Sequence, residues 1–180
     1  IDAFAPTVTA SEVIVAPVED SLEGKLVCDL AIGGIGCLST SATLKVKQGM
    51  VDSVTCDDAD VLKRVQHALH VDAMAKVVGE FAFGINPKAR FTSEFLEAEK
   101  MYGTVHIAFG CNTSMPSGKN NSANHIDFLI SKPTVTAITQ NGSIIPVLVD
   151  GVFHEANSTP EASGIVEEKL PVSEFYKVVD

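Results

Sequence analysis

The chain has 180 residues, 46% of them hydrophobic, and a formal net charge of −10 from 13 basic and 23 acidic residues. That length and apolar content suit one compact domain with a sizeable core, while the acidic balance argues against a nucleic-acid partner, whose phosphates need a basic patch. No apolar run approaches the ~20 residues that span a bilayer, and the opening "IDAFAPTVTA" lacks the basic and apolar regions of an intact secretory signal and an initial Met, which fits a processed or cut chain.

The stretch "EVIVAPV", Glu12 to Val18, reads as a strand closed by a proline, and "KLVCDLAI", Lys25 to Ile32, as the next. A hairpin follows, with one strand to about Lys47, Gln48-Gly49 as the turn and a second strand to about Thr55. Leu62, Val65, Leu69, Ala73 and Val77 recur at helical spacing, which predicts a long helix capped by Asp57 or Asp58 and stopped by Gly79; His67 and His70 on it read as solvated surface. Glu80 to Pro87 is a short strand running into a turn, Ser93 caps a short helix ended by Gly103, and Thr104 to Gly110 is a strand. A polar loop leads to "NHIDFLI", Asn124 to Ile130, and two further strands flank Asn141-Gly142. The order, β-rich first and then a long helix with mixed strands and short helices, predicts an α+β fold with a mixed sheet. One domain over 1–180 is expected, with 155–180 as a surface-wrapping tail. Cys28, Cys37, Cys56 and Cys111 form no C-x-x-C pair, which argues against a zinc knuckle and for free thiols in a reducing compartment.

Several segments carry a polar residue where the pattern expects an apolar one. Side chains alternate along a strand, so His125 and Asp127 share one face while Ile126, Phe128 and Ile130 share the other. Glu12 opens its strand on the face of Ile14, and Glu80 precedes "FAF" directly after a glycine. Glu99 falls on the apolar stripe of the short helix, and His106 lies between the small side chains of Thr104 and Ala108. Two histidines and four carboxylates thus lie on faces that read as buried, against few cations: Arg64, Arg90 and lysines of surface type. Buried charges require a countercharge or a metal, and imidazole with carboxylate suits Zn, Mn, Fe or Co better than Ca.

The segments "EVIVAPVEDSLEGKLVCD", "GEFAFGINPKAR", "LEAEKMYGTVHIAFG" and "HIDF", from about Glu12 to about Ile130, together resemble the C-terminal region of the aminopeptidase T / aminopeptidase S family of thermophilic metallopeptidases, in its leucyl aminopeptidase-related branch. The resemblance implies a metal-dependent aminopeptidase, or the C-terminal domain of one, that hydrolyses the N-terminal residue of peptides with a metal-activated water at a dinuclear site. It implies Glu12, Glu80, Glu99, His106, His125 and Asp127 as ligands of Zn, Co or Mn. Glu12 or Glu80 is expected to bridge, and Glu80 and Glu99 to be catalytic, with Glu99 as general base if it is not a ligand. Cys111, Asn112 and Thr113 are expected to line the substrate pocket, Thr113 falling nearest to where the family has a tyrosine. A cytoplasmic homodimer acting on a peptide or small molecule, with no membrane and no nucleic acid, completes the expectation. The same superfamily resembles Fe-dependent dihydroxypyridine dioxygenases, for which His106, His125 and Asp127 would form a 2-His-1-carboxylate set. A non-catalytic domain is the third alternative.

Overall fold

The structure, a computed structural model, describes residues 7–8 and 11–154, and the tail expected over 155–180 lies outside them. In chain order the elements are β1 (Thr7–Val8), β2 (Glu12–Val15), β3 (Gly24–Cys28), β4 (Ala31–Ile32), β5 (Gly36–Cys37), β6 (Ala42–Lys47), β7 (Met50–Cys56), α1 (Ala59–Ala68), β8 (Val78–Gly84), α2 (Phe95–Ala98), β9 (Val105–Gly110), β10 (His125–Ile130), β11 (Val135–Ile138), β12 (Ile144–Val149) and β13 (Val152–Phe153). They build a seven-stranded sheet in the order β1-β2-β8-β9-β10-β4-β5 and two three-stranded sheets, β3-β6-β7 and β11-β12-β13. The fold is β-rich α+β, as expected. The sheet expected to be mixed is antiparallel at every strand pairing among the described residues. Parallel pairing is confined to an isolated bridge, Asn86 to Met101.

β8 and β9 are central and buried on both faces. On one face Phe81, Val105, Ile107, Phe109, Ile126 and Phe128 join a core that also takes Leu44 and Val46 from β6 and Val65 and Leu69 from the α1 region. The rings of Phe109 and Phe128 meet edge to face at 5.8 Å, a favoured geometry for the aromatic quadrupoles. The opposite face carries the polar residues singled out above.

The hairpin of β6 and β7 turns at Gln48 and Gly49, both with positive φ (48° and 72°), as a tight two-residue turn requires. The stretch read as one strand from Lys25 to Ile32 is two, because Asp29 turns aside to accept hydrogen bonds from the backbone N–H and hydroxyl of Ser131. β3 therefore joins the small sheet and β4 the large one.

α1 is capped by Asp58, which accepts from the N–H groups of Asp60 and Val61, but it stops at Ala68 rather than at Gly79. Asn124 donates to the Ala68 carbonyl, and Asp72 accepts from Ser122 and from the Ala123 N–H. The incoming loop thus occupies the Ala68 carbonyl, which a continued helix would have given to the Asp72 N–H, and the Asp72 carboxylate as well. Gly79 lies inside β8. α2 begins after Glu94, which makes no side-chain cap hydrogen bond, so Ser93 is not its cap.

Candidate metal centre

Four neighbouring strands, β2, β8, β9 and β10, supply most of the centre. Residues paired across antiparallel strands project to the same face. Glu80 pairs with Ala108, which pairs with Asp127; Ala82 pairs with His106, and His125 with Gly110. Glu80, His106, His125 and Asp127 therefore stand on one face, and Glu12, opposite Gly84, joins them at the β2 edge. Ala82 and Ala108 leave room between the larger side chains.

A bulge makes this possible. Val78 pairs with Phe109 and Glu80 with Ala108, so Gly79 is an extra residue on β8. One inserted residue reverses the side-chain alternation, which lets Val78 enter the core while Glu80 turns to the other face. Only a glycine fits, because a Cβ at Gly79 would lie 2.4 Å from the Gly110 carbonyl oxygen.

α2 lies over the same face. Ala98 is fully buried and packs with Ala31 and Leu129, which brings the next residues, Glu99 and Lys100, against the sheet. Two sets of potential ligand atoms result: Glu80, His125 and Asp127, and Glu99, His106 and Asp127, each within 4.8 Å of one another. Asp127 belongs to both. Glu80 also touches both histidines, with Oε1 3.1 Å from His106 Nε2 and Oε2 3.3 Å from His125 Nε2. Lys100 Nζ lies 2.6 Å from Glu12 Oε2 and 2.5 Å from Glu99 Oε1.

His125 is held from behind. Its Nδ1 lies 2.7 Å from the Cys111 carbonyl oxygen, so Nδ1 carries the hydrogen and Nε2 faces Glu80 and Asp127. Metal-ligating histidines commonly have this support, which fixes ring orientation and raises basicity. The Cys111 carbonyl is presented by a loop tied to the strands through Asn120, whose amide donates to the carbonyls of Met74, Val77 and Gly110.

The electrostatics follow from crowding. Burial by itself raises the Glu80 pKa, but the hydrogen bonds and charges of His106 and His125 outweigh it and hold the carboxyl at about 2. Hydrogen bonds to Asp127 and Glu80 push His125 up to about 11. His106, lowered by burial, is raised on balance by Glu80 and the surrounding carboxylates. Glu99 is raised, burial prevailing over the hydrogen bond from Lys100.

The donor set fits a divalent cation. Four carboxylates face two imidazoles and one ammonium, which leaves the cluster negative even with both rings protonated, and buried anions require a countercharge. His106 Nδ1 is a buried imidazole nitrogen without a hydrogen-bond partner among the described residues. Nitrogen with carboxylate oxygen is the chemistry of Zn, Mn, Co and Fe sites.

All six residues expected as ligands thus lie in one cluster. Asp127 is the member common to both sets, whereas Glu12, expected as a possible bridge, belongs to neither and is paired with Lys100. The histidines fall in separate sets rather than together with Asp127 alone. Of the expected pocket residues, Asn112 is fully buried and its side-chain carbonyl accepts from the Asn120 N–H. Cys111 contributes its carbonyl to His125, and its thiol lies 3.4 Å from the Thr113 hydroxyl. Tyr102 packs on Phe153. Lys100, expected among the lysines of surface type, is largely buried here, and its place directly after Glu99 is the one signal in the sequence. Asn120 sits in a polar loop that carries no pattern to mark it.

Two solved structures share this fold. Over 81% of this chain and 44% of the other, it superposes on the 2,5-dihydroxypyridine dioxygenase from Pseudomonas putida KT2440 with a TM-score of 0.66 at 20% identity. Over 79% of this chain and 39% of the other, it superposes on wild-type AmpT from Thermus thermophilus with a TM-score of 0.66 at 24% identity. The chain therefore spans less than half the length of either. No curated protein sequence gives a significant match. The model of one family matches residues 2–153, and with most of its length so matched the chain belongs to the thermophilic metalloprotease (M29) family.

Proposed function

We propose that the chain is the metal-binding part of a metal-dependent aminopeptidase, which hydrolyses the first peptide bond of a peptide with a free N-terminus. The observation that carries the reading is the cluster of two histidines and four carboxylates on one sheet face of a metalloprotease-family chain, within which Glu80, His125 and Asp127 present ligand atoms within 4.8 Å of one another. Glu80, His125 and Asp127 would hold a Zn, Mn or Co ion. Such an ion supplies Lewis acidity that lowers the pKa of water and polarises a carbonyl.

The protein's own groups do the rest. The Cys111 carbonyl keeps His125 Nε2 directed inward. Glu99, raised by burial and set beside His106 and Asp127, is the carboxylate suited to take a proton from the attacking water and return it to the leaving amine. The acidic surroundings of the cluster would attract the substrate's α-ammonium group.

The test is incubation of purified protein with a leucyl anilide in the presence of Zn, Mn or Co, with release of the amine as the readout. Release is expected. Oxygen uptake with Fe(II) on a dihydroxypyridine, without amine release, would replace this reading with the oxygenase one.

A further inference from the structure

We propose that Lys100 takes the place of a second metal ion, so that the centre holds one divalent cation, at Glu80, His125 and Asp127. The inference rests on the metal-dependent reading above and concerns the number of ions.

The two ligand sets are not equivalent. Glu80 and Asp127 face the imidazoles of His106 and His125. Glu99, required for the second set, is already engaged by an ammonium group that also reaches Glu12. Both of these carboxylates are 8% exposed, so water gives them little alternative solvation, and the ammonium is a countercharge shared by the two, with His106 Nε2 farther off at 3.9 Å from Glu12 Oε2. A cation bound to Glu99, His106 and Asp127 would have to displace Lys100 from Glu99 or sit against it, and like charges in a poorly solvated site repel strongly.

Lys100 has little freedom to withdraw. Its N–H donates to the Glu97 carbonyl and its own carbonyl accepts from the Asn86 N–H, so the backbone is pinned on both sides. Ala98, two residues before it, is fully buried against Leu129. The side chain is itself only 24% exposed. The ammonium is thus a tethered cation at the edge of the ligand cluster, and it leaves Glu99 free of a metal bond and available for proton transfer.

The experiment is metal counting. Purified protein is saturated with Zn, Mn or Co, freed of excess ion by gel filtration, and its metal-to-protein ratio is measured by elemental analysis. The same is done for Lys100→Met. One ion per wild-type chain and two per Lys100→Met chain are expected. Two ions in the wild type would overturn this inference and leave the metal-dependent reading intact; none would overturn both. One ion in each protein would overturn the role given to Lys100. If Lys100→Met does not fold, Glu99→Gln decides: one ion retained is the expected result, and its loss would make Glu99 a ligand and overturn the inference.

Discussion

Metal uptake should be coupled to proton release, and the coupling should persist well above the pH at which an ordinary histidine has finished titrating. Hydrogen bonds to Asp127 and Glu80 push the His125 pKa to about 11, so in chelator-treated protein Nε2 carries a proton at pH 7 that must leave before this nitrogen can bind an ion. Glu80, held at about 2, is already ionised and contributes no proton. The sign is therefore fixed: the metal-free form holds more protons than the metal-bound form, and affinity rises with pH. One displaced proton corresponds to about tenfold in apparent affinity per pH unit, so about 100-fold between pH 6 and 8. An unshifted histidine would give a slope that fades to nothing above its ordinary pKa near 6.5, so the informative window is pH 7 to 8.5. Calorimetric titration with Co or Mn in buffers of different ionisation enthalpy counts the protons directly. Affinity that is flat across that window, with no protons released, would refute the reasoning. A slope of two would mean that His106, also raised, loses its proton in the same step.

Two further outcomes follow from the same geometry. Asp127→Ala removes the member common to both ligand sets and should reduce bound metal to a small fraction of wild type, and His125→Ala should do the same while Lys100 holds Glu99; elemental analysis of the purified variants measures both, and unchanged stoichiometry would take this strand out of the centre. Gly79→Ala places a methyl group 2.4 Å from the Gly110 carbonyl oxygen and should cost about 2–3 kcal/mol through forced separation of β8 and β9, read as a lowered denaturation midpoint in urea, whereas an unchanged midpoint would mean that the bulge relaxes freely.

The strand faces were legible because a period of two is a local property. His125 and Asp127 had to share a side, and so did Glu80 with Ala82 and His106 with Ala108. What the pattern did not contain was how the faces of different strands would align. The pairing of Glu80 with Ala108 depends on the extra residue at Gly79, and a bulge leaves no mark in the alternation except the glycine itself. The long helix failed for a related reason. Apolar spacing continues to Val77, and Val65, Leu69 and Val77 of that stripe are buried while Ala73 is exposed, because Asp72 and the Ala68 carbonyl are claimed by Ser122, Ala123 and Asn124, some 50 residues further on. Periodicity marks the buried side as far as Leu69 and loses it at Ala73, where the helix has ended, because the competing partners are distant in sequence.

Lys100 is the instructive case for the centre itself. A lysine after a glutamate at the end of a short helix ordinarily keeps its ammonium in water while its stem covers apolar surface. Here α2 is only four residues long, and Ala98 is clamped between Ala31 and Leu129, so the chain leaves the helix directly over the polar face of the sheet. The ammonium then finds two carboxylates closer than water. That arrangement supplies a cation at one end of the cluster. At the other end, Glu80 and Asp127 have imidazoles for neighbours, which can release their protons to solvent as a metal ion binds, where a lysine beside two carboxylates holds its own. The asymmetry of the centre therefore comes from one side chain delivered by a short helix: Glu80 and Asp127 are left to histidines that can exchange protons for metal, while Glu12 and Glu99 share a single ammonium.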